Sequence, residues 1–437
     1  MDMNLTGAAP NLQELMGARP QLNMHALDGL CLEGVPLNRI ADLYGTPTYA
    51  YGASTIRARY AALRDAFRAE ALPMHIHYAV KANDHLAILN LLQAEGSGAD
   101  VVSIGEFLRA VKAGIAPSNI VFSGVGKVSH ELETALAAGI GQINVESAEE
   151  AAMISAIATR LDVTARIVLR MNPDVDAGTH AKITTGLADN KFGIAAADIP
   201  ALYAHTQSLP GIKTVGIAMH IGSQILSLAP YRYAFMKGAD MIRELRAAGH
   251  TVEVMDIGGG MGIGYHDEPS LSPSAFAAMV RHVYHGLDVR LMMEPGRYLV
   301  GPAGVLLASV ILTKQAGKRF VVLDAAMNDL IRPAMYDAWH GILPLAATAL
   351  HAATSLADVV GPICESSDVF AKDRNLPDLA PGARVAILDA GAYGAVMGSN
   401  YNARPRPAAV LVNDGQIQLI TPRQTHEALW ADETIPN

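Results

Sequence analysis

Residues 77–83 read HYAVKAN, a short apolar run that ends in a lysine and is followed at once by polar residues. Such a run is typical of a buried β-strand, and its last side chain emerges at the carboxyl end, where α/β barrels place their active sites. Lys81 is therefore the first candidate for chemistry. A desolvated lysine can lose its proton and attack a carbonyl as an amine. Taken alone, a solvated lysine that closes a strand is the commoner explanation.

Short β-type runs alternate with helical runs from this stretch onward. The predicted strands are residues 75–80, 99–103, 120–123, 142–146, 165–171, 215–220, 252–257 and 290–293. Between them, segments such as 129–139 and 148–160 have helical apolar periodicity with Gly or Pro at their ends. Eight alternations over roughly 220 residues predict a (β/α)8 TIM-like barrel, with a doubly wound open sheet as the alternative.

The pattern of predicted secondary structure changes after Gly301. Runs such as 319–323, 384–388 and 408–412 are β-type and separated by Gly, Pro, Asn and Asp, which predicts a mainly antiparallel β-sandwich or barrel domain. We therefore predict three parts: an N-terminal segment at 1–45 that packs with the C-terminal β domain, the (β/α)8 barrel at 46–300, and the β domain at 301–437.

Composition narrows the class of function. The chain has 437 residues, of which 51% are hydrophobic and 17% charged, and a net charge of -9. This composition predicts a well-buried globular protein with a small-molecule substrate rather than nucleic acid or an anionic membrane as its partner. The two cysteines, Cys31 and Cys364, are far apart, so we expect a reducing cytoplasm and no disulfide framework. We find no secretion signal, and the longest apolar stretch, near 305–312, is shorter than the roughly 20 residues that span a bilayer.

Unusual polar groups follow several predicted strands. Lys81 follows the first, His220 the sixth, a glycine cluster at 258–264 the seventh, and Glu294 with Arg297 the eighth. The carboxyl ends of barrel strands meet at one rim, and a set of such polar groups at that rim is typical of a barrel enzyme. Each of these groups also has a purely structural explanation: His220 as a core histidine, the glycine cluster as a tight turn, and Glu294 with Arg297 as an ion pair. Ser223 by itself is a turn residue. His282 and His285 lack a third ligand, so we predict no metal site.

Six motifs resemble the diaminopimelate decarboxylase family in chain order. They are HYAVKAN (77–83), HIGSQ (220–224), GGGMGIGY (258–265), EPGR (294–297), CESSD (364–368) and DAGAYG (389–394). The family belongs to the barrel-fold pyridoxal-phosphate enzymes, with ornithine and arginine decarboxylases and relatives of alanine racemase. The resemblance implies that Lys81 holds pyridoxal phosphate, that His220 stacks on its ring, and that Glu294 keeps the ring nitrogen protonated. The implied cofactor-binding set is Lys81, His220, Ser223, Gly258, Gly259, Gly260, Glu294, Gly296, Arg297 and Tyr393.

The resemblance also implies a substrate-binding set. Arg297, Arg332 and Tyr336 are similar to the residues that hold the distal carboxylate, and Glu365 is similar to the partner of the distal ammonium. Tyr393 belongs to the same substrate-binding set. Cys364 resembles a proton donor that one subunit of a homodimer supplies to the other. Ser367 departs from the family, which more often has glycine there, and we expect this change to touch no proposed role.

The expected reaction is decarboxylation of meso-2,6-diaminopimelate to L-lysine and CO2, the last step of lysine biosynthesis, with Lys81, Cys364, His220 and Glu294 as the catalytic residues. The alternatives are an arginine or ornithine decarboxylase, a barrel-type racemase and a catalytically silent binding protein. The Gly- and Thr-containing loop at 177–187 is either a mobile lid or a passive surface loop.

Overall fold

The computed structural model describes residues 10–177, 186 and 191–436. The predicted lid at 177–187 lies almost entirely outside these residues. The chain divides into two compact units. The barrel unit comprises residues 57–263 and 269–298, and the β unit comprises 1–56, 264–268 and 299–437. The boundaries predicted at 45 and 300 stay predictions.

The chain begins with small elements that belong to the β unit. In order they are α1 (Leu12–Gly17), β1 (Leu22–His25), β2 (Gly29–Leu32), β3 (Val35–Pro36), α2 (Leu37–Tyr44), β4 (Thr48–Gly52) and the start of α3 (Ala53–Ala69). Strands β1 to β3 form an antiparallel sheet of their own. Helix α2 and strand β4 are joined by a short turn.

Eight parallel strands close into a barrel, and this confirms the predicted fold. The elements are β5 (Met74–Ala79), α4 (Leu86–Ala94), β6 (Gly98–Val101), α5 (Ile104–Lys112), β7 (Ile120–Phe122), α6 (Ser129–Ala137), β8 (Gln142–Val145), α7 (Ala148–Arg160), β9 (Ala165–Asn172), β10 (Ile194–Ala195), α8 (Ile199–Ser208), β11 (Ile212–Ala218), α9 (Leu228–Ala247), β12 (Val254–Asp256), α10 (Pro273–Tyr284) and β13 (Arg290–Met293). The eight barrel strands are β5 to β9 and β11 to β13, and the short strand β10 pairs in parallel with the last two residues of β9. Pairing of β13 with β5 closes the ring, so the open doubly wound sheet is wrong.

Burial explains why these runs became strands. Most positions of the barrel strands are buried on both faces, as expected for parallel strands covered by helices. The barrel interior is filled by small and medium apolar side chains: Val121, Val168, Val215, Ala218, Val254 and Met292. Serines begin two of the covering helices, since Ser103 Oγ accepts the Glu106 N–H of α5 and Ser147 Oγ accepts the Glu150 N–H of α7.

The β unit is built around one long strand. Its remaining elements are α11 (Arg297–Val300, which begins in the barrel unit), β14 (Gly304–Ala316), β15 (Lys318–Leu323), α12 (Arg332–Tyr336), β16 (Ile342–Pro344), β17 (Thr354–Val360), β18 (Val369–Pro377), β19 (Arg384–Ile387), β20 (Ala408–Asn413) and β21 (Gln416–Thr421). The first part of β14 pairs with β4 and β19, and its second part pairs with β15. Most pairings are antiparallel, as predicted, although β4 with β20 and β15 with β17 are parallel.

Helix α3 is capped by a residue that is distant in sequence. Ser54 is of a type that often caps helices, but the helix begins one residue before it, at Ala53. The cap is instead the carboxylate of Glu33, a residue with φ of +50°, which accepts the N–H groups of Ser54 at 3.1 Å and Thr55 at 2.7 Å. A negative charge at a helix N-terminus is favourable, and no local motif identifies a capping group twenty-one residues away.

No helix among the described residues is both long and apolar enough to cross a membrane.

Asp389, the first residue of the DAGAYG motif, has a structural role. It is buried and accepts hydrogen bonds from Arg19 Nε at 2.9 Å and Nη2 at 2.6 Å. Arg19 also donates to the carbonyl oxygens of Leu15 and Tyr265, both at 2.8 Å. Both side chains of this ion pair are buried, and the pair joins the residues after α1 to the DAGAYG segment of the same unit.

We predict that Arg19→Ala lowers the free energy of unfolding by about 3–5 kcal/mol, because it removes the cation that faces a buried carboxylate. Urea titration measures the loss. The matched control is Arg160→Ala, which breaks an exposed pair with Glu133 and should be inseparable from wild type. Equal effects from the two variants would contradict the structural role of Arg19.

Candidate active site

Lys81 and Asp100 form an ion pair where the first two barrel strands end. Lys81 lies in the 3-10 turn Val80–Ala82 directly after β5, and Asp100 lies in β6. Lys81 Nζ is 3.3 Å from Asp100 Oδ2, with the lysine side chain 34% exposed and the aspartate side chain 0% exposed. The amine is therefore accessible to a ligand while a buried carboxylate holds it in place.

Glu294 follows β13 and is buried among other acids. Its Oε1 accepts hydrogen bonds from Asn144 Nδ2 at 3.1 Å and Ser123 Oγ at 3.5 Å. Burial, and then the neighbouring carboxyls of Asp100 and Asp256, raise the pKa of Glu294 well above its ordinary value. The ionised form of Glu294 thus needs a positive partner, which suits it to face a cationic nitrogen.

His220 is held neutral. It follows β11, and its Nδ1 accepts the N–H of Gly259 at 3.2 Å, so the ring hydrogen of the neutral imidazole is on Nε2. Burial lowers the pKa of His220 well below its ordinary value, and the positive charges of Lys81 and Arg170 lower it further. The side chain therefore offers an uncharged ring at the same barrel rim as Lys81.

The glycine turn after β12 is required by close packing. Gly258 and Gly260 have φ of +68° and +95°. A Cβ on Gly258 would overlap the carbonyl oxygen of Met219, and one on Gly259 would overlap that of Glu294. The N–H of Gly258 donates to Asp256 at 2.9 Å, and that of Gly259 donates to His220. The role of these glycines in binding a phosphate stays a prediction.

The EPGR loop packs against the lysine turn. Arg297 is buried, and its Nη2 donates to Ser223 Oγ at 3.1 Å. A Cβ on Gly296 would lie 3.0 Å from Ala82 Cβ, which is tighter than an ordinary contact, so this glycine lets the loop approach the turn that carries Lys81. Within the barrel unit, the predicted site residues are thus gathered at one end: Lys81, His220, Ser223, Gly258, Gly259, Gly260, Glu294, Gly296 and Arg297.

Arg332 is fixed within the β unit. It lies at the start of α12, with Nη1 2.7 Å from His340 Nε2 and its guanidinium 4.5 Å from the ring centre of Tyr265. Because an arginine can only donate, His340 Nε2 accepts, and His340 Nδ1–H then donates to the Leu388 carbonyl at 2.7 Å. Tyr336 ends the same short helix.

Cys364 and Glu365 lie on an exposed segment of the β unit. The thiol of Cys364 is free, and its N–H donates to Asn402 Oδ1 at 3.3 Å. Glu365 accepts the hydroxyl of Ser367 at 2.6 Å, and hydrogen bonds from Ser367 and Tyr401 lower the pKa of Glu365. Ser367, the departure from the family, thus contacts Glu365, whose role in substrate binding stays a prediction. Tyr393 also belongs to this unit and has φ of +54°.

Sequence reasoning missed four side chains that line this end of the barrel. Asp100, Ser123, Asn144 and Asp256 lie in or directly after β6, β7, β8 and β12. Each interrupts or ends a largely buried strand, and buried polar groups in such places require partners. That signal was present in the sequence, but it does not identify the partners on other strands, such as Glu294 for Asn144.

A family model described as "Pyridoxal-dependent decarboxylase, pyridoxal binding domain" matches residues 53–301. The diaminopimelate decarboxylase of Zymomonas mobilis is 49% identical over 411 residues, which cover 92% of this chain and 96% of that protein.

Solved structures of diaminopimelate decarboxylases are also similar to this chain. The diaminopimelate decarboxylase of Helicobacter pylori, complexed with L-lysine, is 41% identical, with a TM-score of 0.88 over 91% of this chain and 99% of that one. The enzyme of M. jannaschii, also in complex with L-lysine, is 35% identical, with a TM-score of 0.90 over 96% of this chain and 99% of that one.

Proposed function

This chain belongs to the diaminopimelate decarboxylase family, and from that premise we propose that it converts meso-2,6-diaminopimelate to L-lysine and CO2. The reaction takes place at the D-configured centre and is the last step of lysine biosynthesis. The observation that carries the proposal is the barrel rim itself, where an accessible lysine paired with a buried aspartate shares one end of the barrel with a buried glutamate. The enzyme is a carboxy-lyase, and its cofactor is pyridoxal 5'-phosphate.

The charges of the site fit this cofactor. Asp100, Asp256 and Glu294 are three buried carboxyls, and Lys81 is the cation beside them. Asp100 Oδ1 has no hydrogen-bond partner among the described residues. A ligand that presents a protonated ring nitrogen to Glu294 would compensate part of this negative charge. When bound, pyridoxal phosphate supplies the electron sink for the bonding electrons that remain when CO2 departs.

We assign the cofactor-side roles on this basis. Lys81 would hold the aldehyde through its amine, and Glu294 would keep the ring nitrogen protonated. His220 would contact the ring, and its neutral state supports that role because an uncharged imidazole does not compete with the ring for Glu294. Ser223, Gly258, Gly259, Gly260, Gly296, Arg297 and Tyr393 complete the cofactor set.

The substrate-side roles follow the chemistry of a ligand with a second amino-acid head. Arg297, Arg332 and Tyr336 take the distal carboxylate, Glu365 takes the distal ammonium, and Tyr393 joins this set. The locked geometry of Arg332 supports a specificity role, since a guanidinium fixed before binding loses less entropy when it meets a carboxylate.

Cys364 donates a proton to the substrate carbon after CO2 has left, and it does so in the active site of the other subunit of a homodimer. Its exposure within a single protomer supports this arrangement. The cytoplasmic location belongs with the same proposal and rests on two distant cysteines in a chain expected to stay reduced.

We predict that Lys81→Ala abolishes both the absorbance of the bound cofactor and turnover, because the variant has no amine to hold the aldehyde. Absorbance spectra and CO2 release measure the two effects. The control is Lys213→Ala, which alters an exposed lysine in β11 paired with Glu253 and should keep both signals. Turnover by Lys81→Ala would refute the assignment.

Substrate choice tests the arginine-based assignment. Purified protein with added pyridoxal phosphate should release CO2 from meso-diaminopimelate but not from L-arginine, L-ornithine or L-lysine. Arg332→Ala should raise KM for diaminopimelate by about 10- to 100-fold, as expected for loss of a charge-assisted hydrogen bond, with cofactor absorbance unchanged. Arg406→Ala, at an exposed arginine of the same unit, is the control. Release of CO2 from a basic amino acid instead would favour an arginine or ornithine decarboxylase. Racemisation without release of CO2 would favour a racemase, and absence of the cofactor absorbance band would favour a catalytically silent binding protein.

Mixing inactive variants tests the shared active site. Lys81→Ala and Cys364→Ala should each be inactive, and a refolded mixture should recover activity, because a mixed dimer contains one site in which both residues are intact. A mixture of Lys81→Ala with His220→Ala should recover none, since both residues belong to one barrel unit. Absence of recovery in the first mixture would contradict a site shared between subunits.

A further inference from the structure

The amide side chains of Gln142 and Asn144 lie in the interior of the barrel. Both belong to β8, two residues apart on one face, and each residue is 2% exposed. The parallel register pairs Gln142 with Val121 and pairs Asn144 with Val168, which are interior residues. Gln142 Oε1 has no hydrogen-bond partner among the described residues, which is a cost to stability. Two amides in a layer that barrels usually fill with apolar side chains therefore need a reason.

The hydrogen bonds of these amides run in one direction, towards Glu294. Gln142 Nε2 donates to Asn144 Oδ1 at 2.9 Å, and Asn144 Nδ2 donates to Glu294 Oε1 at 3.1 Å. Asn144 Nδ2 also donates to Ser123 Oγ at 3.0 Å, and that hydroxyl is 3.5 Å from the same oxygen of Glu294. Because the donors point to Glu294, the arrangement stabilises its carboxylate more than the protonated acid.

The backbone of Asn144 is also held in place. Lys127, whose side chain is 1% exposed, donates to the carbonyl oxygens of Asn144 and Gly124, both at 2.7 Å. Its third acceptor is Glu150 Oε1 at 2.6 Å. Gly124 follows β7 and Asn144 lies in β8, so one buried cation joins the ends of these two strands. The amide therefore meets Glu294 in a geometry that is set before a ligand binds.

The other surroundings of Glu294 oppose its ionised form. Burial raises the pKa of Glu294 well above its ordinary value, Asp100 and Asp256 raise it further, and Lys81 lowers it. The role proposed for Glu294 nevertheless needs a carboxylate, because a protonated ring nitrogen can only donate to it. A hydrogen-bond donor that favours the ionised form is thus required beside Glu294, and the Asn144 amide is placed to be that donor.

We propose that Asn144, oriented by Gln142, is a positioning residue that keeps Glu294 ionised beside a cationic ring nitrogen. By stabilising the carboxylate, the amide makes Glu294 a weaker base, so the proton stays on the ring nitrogen instead of passing to Glu294. Gln142 keeps the side-chain oxygen of Asn144 directed away from Glu294. The inference rests on the proposed cofactor site and adds two amides of β8 to it.

The first test compares the dissociation constant of pyridoxal phosphate in wild type and Asn144→Leu across pH. Leucine has nearly the shape of asparagine but no donor, so the substitution raises the pKa of Glu294. The ratio of the constants, variant over wild type, should be near one at high pH, where Glu294 is ionised in both proteins. It should rise as pH falls and level off at about 10- to 100-fold, as expected for a charge-assisted hydrogen bond. A ratio that does not change with pH would overturn the proposal, because a purely structural Asn144 affects binding equally at every pH.

Other titrating groups do not produce this dependence. Lys81, Asp100 and Asp256 face Glu294 from the ends of β5, β6 and β12, and they are the same in both proteins. Their titration therefore affects both dissociation constants. The control is Asn90→Leu, which alters an asparagine of α4 that donates to the Ala113 carbonyl instead of a carboxylate, and its ratio should be independent of pH.

The nitrogen-15 chemical shift of the ring nitrogen of bound, labelled pyridoxal phosphate reports the proton directly. We expect the shift of a protonated nitrogen in wild type and a move towards the unprotonated value in Asn144→Leu at the same pH. Gln142→Leu keeps the Asn144 amide and should move the shift in the same direction by less, so it tests the proposal even if Asn144→Leu does not fold. Shifts equal to that of wild type would overturn the proposal. Absence of the cofactor absorbance band in wild type would instead contradict the proposed cofactor site, so the two failures are distinguishable.

Discussion

Buried negative charge is the constraint on which the active site depends. Asp100, Asp256 and Glu294 are brought together because they lie in or after β6, β12 and β13, whose carboxyl ends meet at one rim of the closed barrel. Carboxylates removed from water are costly unless cations or protons compensate them. Here part of the compensation comes from Lys81, which lowers the pKa of Glu294, and a bound cofactor with a cationic ring nitrogen would add to it. The site is thus arranged to favour a ligand with positive charge on a ring and an aldehyde that a lysine can reach.

Much of this architecture is visible in the sequence. The eight barrel strands were predictable because buried parallel strands are short apolar runs, and helices with regular apolar spacing separate them. Lys81, His220 and Glu294 were identifiable because each follows such a run. The family resemblance then supplied the cofactor, which spacing alone did not specify.

What sequence reasoning missed has a common physical cause. The position of Asp256 in the site follows only from the register between β12 and β13. Glu33 caps a helix that begins twenty residues later in the chain. His340 fixes Arg332 only through the tautomer that the Leu388 carbonyl imposes. Each is a polar group whose partner is distant in sequence, and local patterns contain no information on that partner. Ser367 differs from these, since its partner Glu365 lies only two residues away.

The glycine turn shows how one short segment can impose order on the whole rim. The N–H of Gly258 fixes Asp256, and the N–H of Gly259 fixes the tautomer of His220. The Gly258 carbonyl accepts the N–H of Glu294 at 2.8 Å, and the absence of a Cβ on Gly259 lets the carbonyl of Glu294 approach. A buried aspartate, a neutral ring and a buried glutamate are therefore all positioned by the same two peptide groups. The need for glycine here follows from that packing, even before any phosphate is considered, because a side chain at either position would displace the strand ends that hold all three.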